Sequence, residues 1–423
     1  MSNLKVIGRT IGPILLLEAL MMVPAASICL YDGKMAAFQS YLLTMVIILL
    51  AGGGMTFFTR KEESKMLAHD GFVIVALSWI LMSLFGALPF WFCGEIPSYL
   101  DALFETVSGF TTTGASILPE VESMSRGLLY WRSFTHWVGG MGMLVFALAV
   151  VPGNKKSGGT LHLMRAESPG PDVGKVTPRV HQTAMILYGL YVGLTIICFV
   201  FLIAGEMPVF DAVCTAFGTA GTGGFGIKND SIGGYSVYCQ WIIGVFMVLF
   251  GINFNAYYFI LLKHFREAFS MEEVRAYLLI IAGAVAVIFV NIFHACQGAV
   301  DALTKAFFQV ASIITTTGFS TCDFDLWPTT SKFILVLLMF IGACAGSTGG
   351  GIKVSRFLIA GKTVQKEMGS YIHPKSIKKI QMDSKPIEHE VVRSTNVYFM
   401  TYLMLFALFL FLISLEGQDL VTS

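Results

Sequence analysis

Apolar residues run in long blocks along this chain, and the block lengths set the secondary structure before any motif does. A run of about 20 apolar residues is what a helix needs to cross a bilayer. Nine such runs can be read, at roughly 9–31, 37–58, 71–93, 127–151, 182–204, 235–262, 274–296, 331–362 and 394–416. The pattern predicts an all-α polytopic membrane protein with about nine transmembrane helices. The first run follows Lys5 and Arg9 and reaches the small residues Ala25-Ala26-Ser27, as a signal peptide would. It is long for a cleaved segment, so an uncleaved helix is expected.

Composition and charge sharpen this reading. Of the 423 residues 55% are hydrophobic and only 13% charged, against about a quarter charged in a soluble domain. Too little polar surface remains to clothe a water-soluble globule. The net charge of +1 says nothing about partners, but placement does. With the N-terminus inside, segments 1–9, 59–70, 152–181, 263–275 and 352–393 face the cytoplasm and hold 22 of the 28 Lys and Arg, as the positive-inside rule requires. Acidic residues such as Glu95, Asp101, Glu105, Asp211, Asp301 and Asp325 fall on the other side, where they would concentrate cations. No basic stripe interleaved with aromatics marks a nucleic-acid binder. The eight Cys show no metal spacing and read as small buried hydrophobes. No paired acid and base, metal cluster or activated nucleophile supports an enzyme.

Three outer connections resemble one another. The first is Asp101-Ala-Leu-Phe-Glu-Thr-Val-Ser-Gly-Phe-Thr111-Thr112-Thr113-Gly114; the second runs from Asp211 to Ala220-Gly221-Thr222-Gly223; the third runs from Asp301 to Thr315-Thr316-Thr317-Gly318. Each opens on an Asp expected to cap a helix, continues for about three turns, too short to span, and ends in Thr-Gly. This predicts re-entrant half-helices leading into non-helical loops, which membrane depth tolerates only where they are buried or line a wet cavity. Glycine permits positive φ, so successive carbonyls can turn to one axis and replace the hydration shell of a cation, the half-helix dipole adding negative potential. Helix–pore-loop–helix units around a central ion pore are expected.

Other glycine patterns mislead. Gly221-Thr-Gly-Gly-Phe-Gly226 matches a dinucleotide fingerprint but lies between membrane runs, without the strand and βαβ unit that motif needs. Gly346-Ser347-Thr348-Gly349-Gly350-Gly351-Ile352-Lys353 misses the phosphate-loop spacing at Ile352. It interrupts the eighth run, either as a flexible segment below the filter or as close helix packing by small residues. Gly139-Gly-Met-Gly142 reads as packing; Asn253 and Asn255 line the pore or bond across helices; His136 reads as a satisfied core residue. Asn229-Asp-Ser231 is a glycosylation sequon only in a secretory pathway.

The three loops and the broken eighth run resemble the membrane subunit of bacterial Trk potassium uptake systems, within the Trk/Ktr/HKT superfamily. The likeness covers the whole chain, including two extra N-terminal spans, Arg165-Ala-Glu-Ser-Pro-Gly-Pro171 and His373-Pro374. It implies a homodimeric, multi-pass protein of the bacterial inner membrane with a cytosolic nucleotide-binding regulatory subunit. Potassium would be the substrate and no cofactor would be bound; uptake would be coupled to protons or sodium. It further implies a filter at Thr111–Gly114, Ala220–Gly223 and Thr315–Gly318, and a gate loop at Gly346–Gly351 with Lys353. Serine at the first filter glycine favours sodium in plant relatives, so Gly114 favours potassium. The division expected is 1–69 for the extra helices, then repeats at 70–180, 181–273 and 274–393, and the start of a fourth at 394–423. The family has a fourth filter loop, whereas this chain ends at Gly417-Gln-Asp419-Leu-Val-Thr-Ser423. The sequence is therefore expected to be a fragment or a truncated product, and the alternative function is a non-conducting remnant or assembly subunit. Coding DNA beyond Ser423 separates the two.

Overall fold

The computed structural model describes residues 4–59, 68–140, 142, 180–372 and 379–415. Arg165–Pro171, His373-Pro374, Gly417–Ser423 with Asp419, and Met141 lie outside the described residues. Among the described residues the regular structure is helical apart from one two-strand hairpin. Helices α1 (Leu4–Met21) and α2 (Val23–Tyr31) together make the first span, Lys5–Tyr31. Pro24 sits at the start of α2, where a missing N–H costs no helical bond. Span α3 (Met35–Thr59) packs back on α1. At their contact a Cβ on Gly52 would stand 2.9 Å from the Gly12 carbonyl oxygen, and one on Gly12 would stand 2.4 Å from Thr56 Oγ1. Small residues let the two backbones approach. Helices α4 (Ala68–Gly86) and α5 (Leu88–Phe92) complete the third span, His69–Phe92.

Three units of leading helix, half-helix, loop and return helix follow. In the first, half-helix α6 (Tyr99–Phe110) leads to α7 (Arg126–Gly140). In the second, α8 (Val180–Ala204) and half-helix α9 (Val209–Ala220) lead to α10 (Val237–Phe250), α11 (Phe254–Leu261) and the short α12 (Phe265–Ser270). In the third, α13 (Glu272–Ile292) and half-helix α14 (Ala299–Ile314) lead to α15 (Thr329–Ile341) and α16 (Val354–Ile372). The hairpin β1 (Gln381–Met382) and β2 (Lys385–Pro386) precede α17 (His389–Ser414). One buried core joins the N-terminal spans to the first unit, around Trp131 and Phe110; a second joins the other two units, around Tyr277 and Phe308.

Six spans among the described residues are long and apolar enough to cross a membrane, or seven if a bent pair counts as one. The nine runs of the sequence differ for definite reasons. The fourth is described only as far as Gly140 and Gly142. The sixth is no continuous helix: α10 and α11 meet at 91°. The eighth is divided into the 13-residue α15 and the separate α16. Hydropathy measures the solvent a segment sits in, and broken and unbroken segments share that solvent.

The three aspartates are also corrected. They occupy the third helical position, not the cap: Ser98, Pro208 and Gly298 hold the cap positions, and only Ser98 of these accepts a side-chain bond, from Asp101 N at 3.4 Å. Aspartate in the first turn still complements the positive helix end. Asp211 accepts the Tyr235 hydroxyl at 2.8 Å, and Asp301 pairs with Lys305 at 2.9 Å.

The α1–α3 contact yields a paired test. Gly12→Val should lower unfolding stability in detergent by about 1–3 kcal/mol through overpacking. Gly53→Ala, where an added Cβ meets nothing within 4 Å, should not lower it. Thermal denaturation of the two variants measures the difference.

Candidate ion pathway

Each half-helix ends in the same turn. The N–H groups of Thr111, Gly221 and Thr315 reach back to the carbonyls of Val107, Phe217 and Ala311. Those of Thr112, Thr222 and Thr316 reach Gly109, Thr219 and Ile313, and those of Thr113, Gly223 and Thr317 reach Ser108, Gly218 and Ser312, all at 2.8–3.2 Å. This double closure is the Schellman motif, which needs a left-handed residue just past the helix end. The residue supplied is threonine every time: Thr112 at φ 54°, Thr222 at 49° and Thr316 at 58°. A β-branched residue there is strained by about 1–3 kcal/mol and persists only where its surroundings over-determine it. Two residues on, Gly114, Gly224 and Gly318 have φ of 76°, 82° and 87°.

The hydrogen bonds therefore align Thr111-Thr112-Thr113-Gly114 with Gly221-Thr222-Gly223-Gly224 and Thr315-Thr316-Thr317-Gly318. The second loop differs from the expected Ala220–Gly223: Ala220 is the last residue of α9, and Gly224 takes the place assigned to Gly223. Counting from the aspartate finds the register, since Gly114 lies thirteen residues after Asp101 and Gly224 thirteen after Asp211. The third half-helix hides this rule because it has 16 residues where the others have 12.

The loops follow one another in a single rotational sense. A Cβ on Gly114 would lie 2.0 Å from the Gly223 carbonyl oxygen, and a Cβ on Gly224 would lie 2.0 Å from that of Thr317; on Gly318 it would meet nothing within 4 Å. Gly114 and Gly224 thus each abut a carbonyl of the next loop, so at these two both the dihedral and the missing side chain are required. Cross-links outside the turns keep this order. Val121 N donates to the side chain of Asn229, the sequon residue, at 2.9 Å, and Ile232 N donates to Ser320 O at 3.0 Å.

Behind the first two loops stands a buried ion pair that the sequence reading missed. Arg132 on α7 bonds Glu105 on α6 through Nε and Gly226 O through a second nitrogen at 2.8 Å. Glu105 also accepts the Ser116 hydroxyl at 3.0 Å and Ile117 N at 3.2 Å. The guanidinium lies 3.6 Å over the Phe225 ring, which stacks on His136 at 4.0 Å. His136 in turn backs Gly223 with its ring and Gly221 with its carbonyl, leaving no room for a Cβ at either loop position, and Gly140 lies against Gly221 as closely. A glutamate within a half-helix and an arginine near the start of an apolar run were the available signal.

Below the loops, residues 342–353 cross the interior without helix. The α10–α11 break meets them: Cys344 N donates to Gly251 O at 3.0 Å, Thr348 N to Phe250 O at 3.3 Å, and Phe254 N to Gly346 O at 2.9 Å. Asn253 caps α11 by accepting Asn255 N at 2.9 Å, and its side chain also bonds Glu273 on α13. The strained threonines hold the same segment. Thr316 Oγ1 accepts Gly350 N at 2.7 Å, and Thr222 Oγ1 lies 2.9 Å from Thr348 O. Gly349 packs on Thr315 O, Ser347 Oγ donates to Cys344 O at 2.6 Å, and the buried Lys353 ammonium donates to Gly349 O. Gly342 and Gly351 touch, and a Cβ on either would collide. The glycines serve close approach, within a segment that is also non-helical and under the loops.

The sequence profile of the TrkH family, described as a cation transport protein, matches residues 37–422. The chain belongs to the TrkH family. It is 34% identical over its whole length to the Trk system potassium uptake protein TrkG of Escherichia coli K12, covering 87% of that protein. It is 34% identical to the Trk system potassium uptake protein TrkH of Halomonas elongata, covering 88% of it. The crystal structure of the potassium transporter TrkH from Vibrio parahaemolyticus superposes with a TM-score of 0.87 at 31% identity, over 99% of this chain and 87% of that one. The all-α, multi-pass membrane architecture expected from the sequence is thus the family's.

The buried pair can be tested. Arg132→Met strands Glu105 and should cost about 3–5 kcal/mol, whereas Arg132→Met combined with Glu105→Gln should cost less than the sum of Arg132→Met and Glu105→Gln taken singly. Thermal unfolding of both single variants and the double variant measures this coupling.

Proposed function

We propose that this chain carries potassium across the bacterial inner membrane, with its N-terminus in the cytoplasm. The filter is Thr111–Gly114, Gly221–Gly224 and Thr315–Gly318. The observation that carries the reading is the triple repetition of one strained turn, with Gly114 and Gly224 each set against a carbonyl of the next loop. Such an array offers a dehydrated cation fixed oxygens, with half-helix ends adding negative potential. The names of the relatives point to the same ion. The repeats divide at 70–180, 181–273 and 274–393, with 394–423 opening the fourth. By analogy with the family the working assembly is a homodimer in lipid with a cytosolic nucleotide-binding subunit.

Gly346–Gly351 with Lys353 acts as the gate, because it lies beneath two filter loops and is held by side chains of both. Breaking those bonds opens the path without touching the filter carbonyls.

Expression of the whole coding sequence should restore growth at micromolar potassium to cells lacking potassium uptake; absence of growth with normal membrane expression would overturn the reading. In the same cells Gly114→Ser and Gly224→Ser should each lower discrimination of potassium over sodium, measured by ion-competition uptake. Unchanged competition in Gly224→Ser would return the second loop to the register ending at Gly223. Deleting Gly349–Gly351 should raise basal rubidium flux; flux still closed at rest would make the segment packing alone.

A further inference from the structure

Helix α13 begins without a cap of its own: Met271 holds the cap position and offers no side-chain acceptor. The cap comes from far along the chain. Asp383 Oδ1 accepts Glu272 N at 2.7 Å. Asp383 and Ser384 form the two-residue turn between β1 and β2, at φ 51° and 63°. Positive φ at both positions is the turn that suits a tight hairpin, and aspartate tolerates it better than most side chains. Lys362 on α16 fastens the hairpin further, bonding both Glu272 and, at 2.6 Å, Gln381 O.

The next residue of α13 faces the other way. Glu273 is buried, and its Oε1 accepts Ala345 N at 2.6 Å and Ser355 N at 3.1 Å, one on each side of the glycine stretch. Consecutive residues of one helical turn therefore tie an exposed hairpin to both ends of the segment under the filter. A cavity of about 610 Å³ separates these attachments, lined by Glu273, Ala345 and Ser355 and by Asp383, Lys385 and Ile387. The hairpin and the α13 terminus have room to move there.

We propose that the 381–386 hairpin is the lever of the gate segment, and that Asp383 and Glu273 are its positioning residues. While Asp383 caps α13, Glu273 stays where it pins Ala345 and Ser355; withdrawal of the hairpin frays the first turn of α13 and lets the segment go. This rests on reading 346–353 as the gate, but release of the segment is measurable whether or not ions flow. Cys344 reports it, being fully buried within the segment.

The experiment is N-ethylmaleimide labelling of the full chain in native membranes, quantified at each cysteine by mass spectrometry. Asp383→Ala should raise the Cys344 labelling rate about fivefold, the scale of a lost helix cap. Asp383→Asn, which still offers a cap oxygen, should label at the unsubstituted rate. Glu273→Ala should raise Cys344 labelling at least as far. Cys198 and Cys214, buried in α8 and α9, should stay unreactive throughout. The proposal falls if Asp383→Ala or Glu273→Ala leaves Cys344 protected, if Asp383→Asn labels like Asp383→Ala, or if Cys198 and Cys214 become reactive alongside Cys344.

Discussion

A backbone amide at membrane depth has no water to bond, and this constraint organises the molecule. The chain leaves helical geometry at three loops, at the α10–α11 break and at residues 342–353. Each departure frees N–H and C=O groups that would cost several kcal/mol if left unpaired. The solution is reciprocal. The broken second unit takes up the broken third through Gly251, Phe250 and Phe254, and the loops bond their own half-helices. An irregular path through the interior is stable because its irregular parts are one another's partners.

That reciprocity joins the loops to the segment beneath them. Thr222 and Thr316 bear left-handed strain to turn their loops, and their hydroxyls are the groups that meet Thr348 and Gly350. Thr112, at the same position of the first loop, has the same strain but packs beside Gly139. Two of three equivalent residues thus have a second task, which arises because the crossing segment passes under only part of the array.

Close approach is the other recurring device. Gly139, Gly140 and Gly223 let α7 and His136 lie directly against loop backbone, while the Glu105–Arg132 pair ties the first half-helix to the second loop. A charge pair is costly to bury, but breaking it is costlier, so it resists the splaying of the loops that would spoil a cation site. The hairpin that caps α13 extends the same economy of parts to the helix whose Glu273 holds both ends of the 346–353 segment.

Hydropathy alone settled the solvent, the helical class and most span positions, because lipid selects apolar length directly. Repetition revealed the three loops, and their Thr-Gly endings pointed to positive φ at Gly114 and Gly318 but not to the left-handed threonines that make the turns. The sequence pattern did not carry the bend after Phe250, the place of Gly224 in the second loop or the aspartates' position inside the half-helices. Local composition is nearly the same on either side of each of these distinctions. Glu105, Arg132 and Glu273 were visible as charges at the edges of apolar runs, but their partners lie 27 to 94 residues away. Pairings over such distances are decided by which broken backbone and which buried charge meet in the folded chain, and only the tertiary structure brings them together.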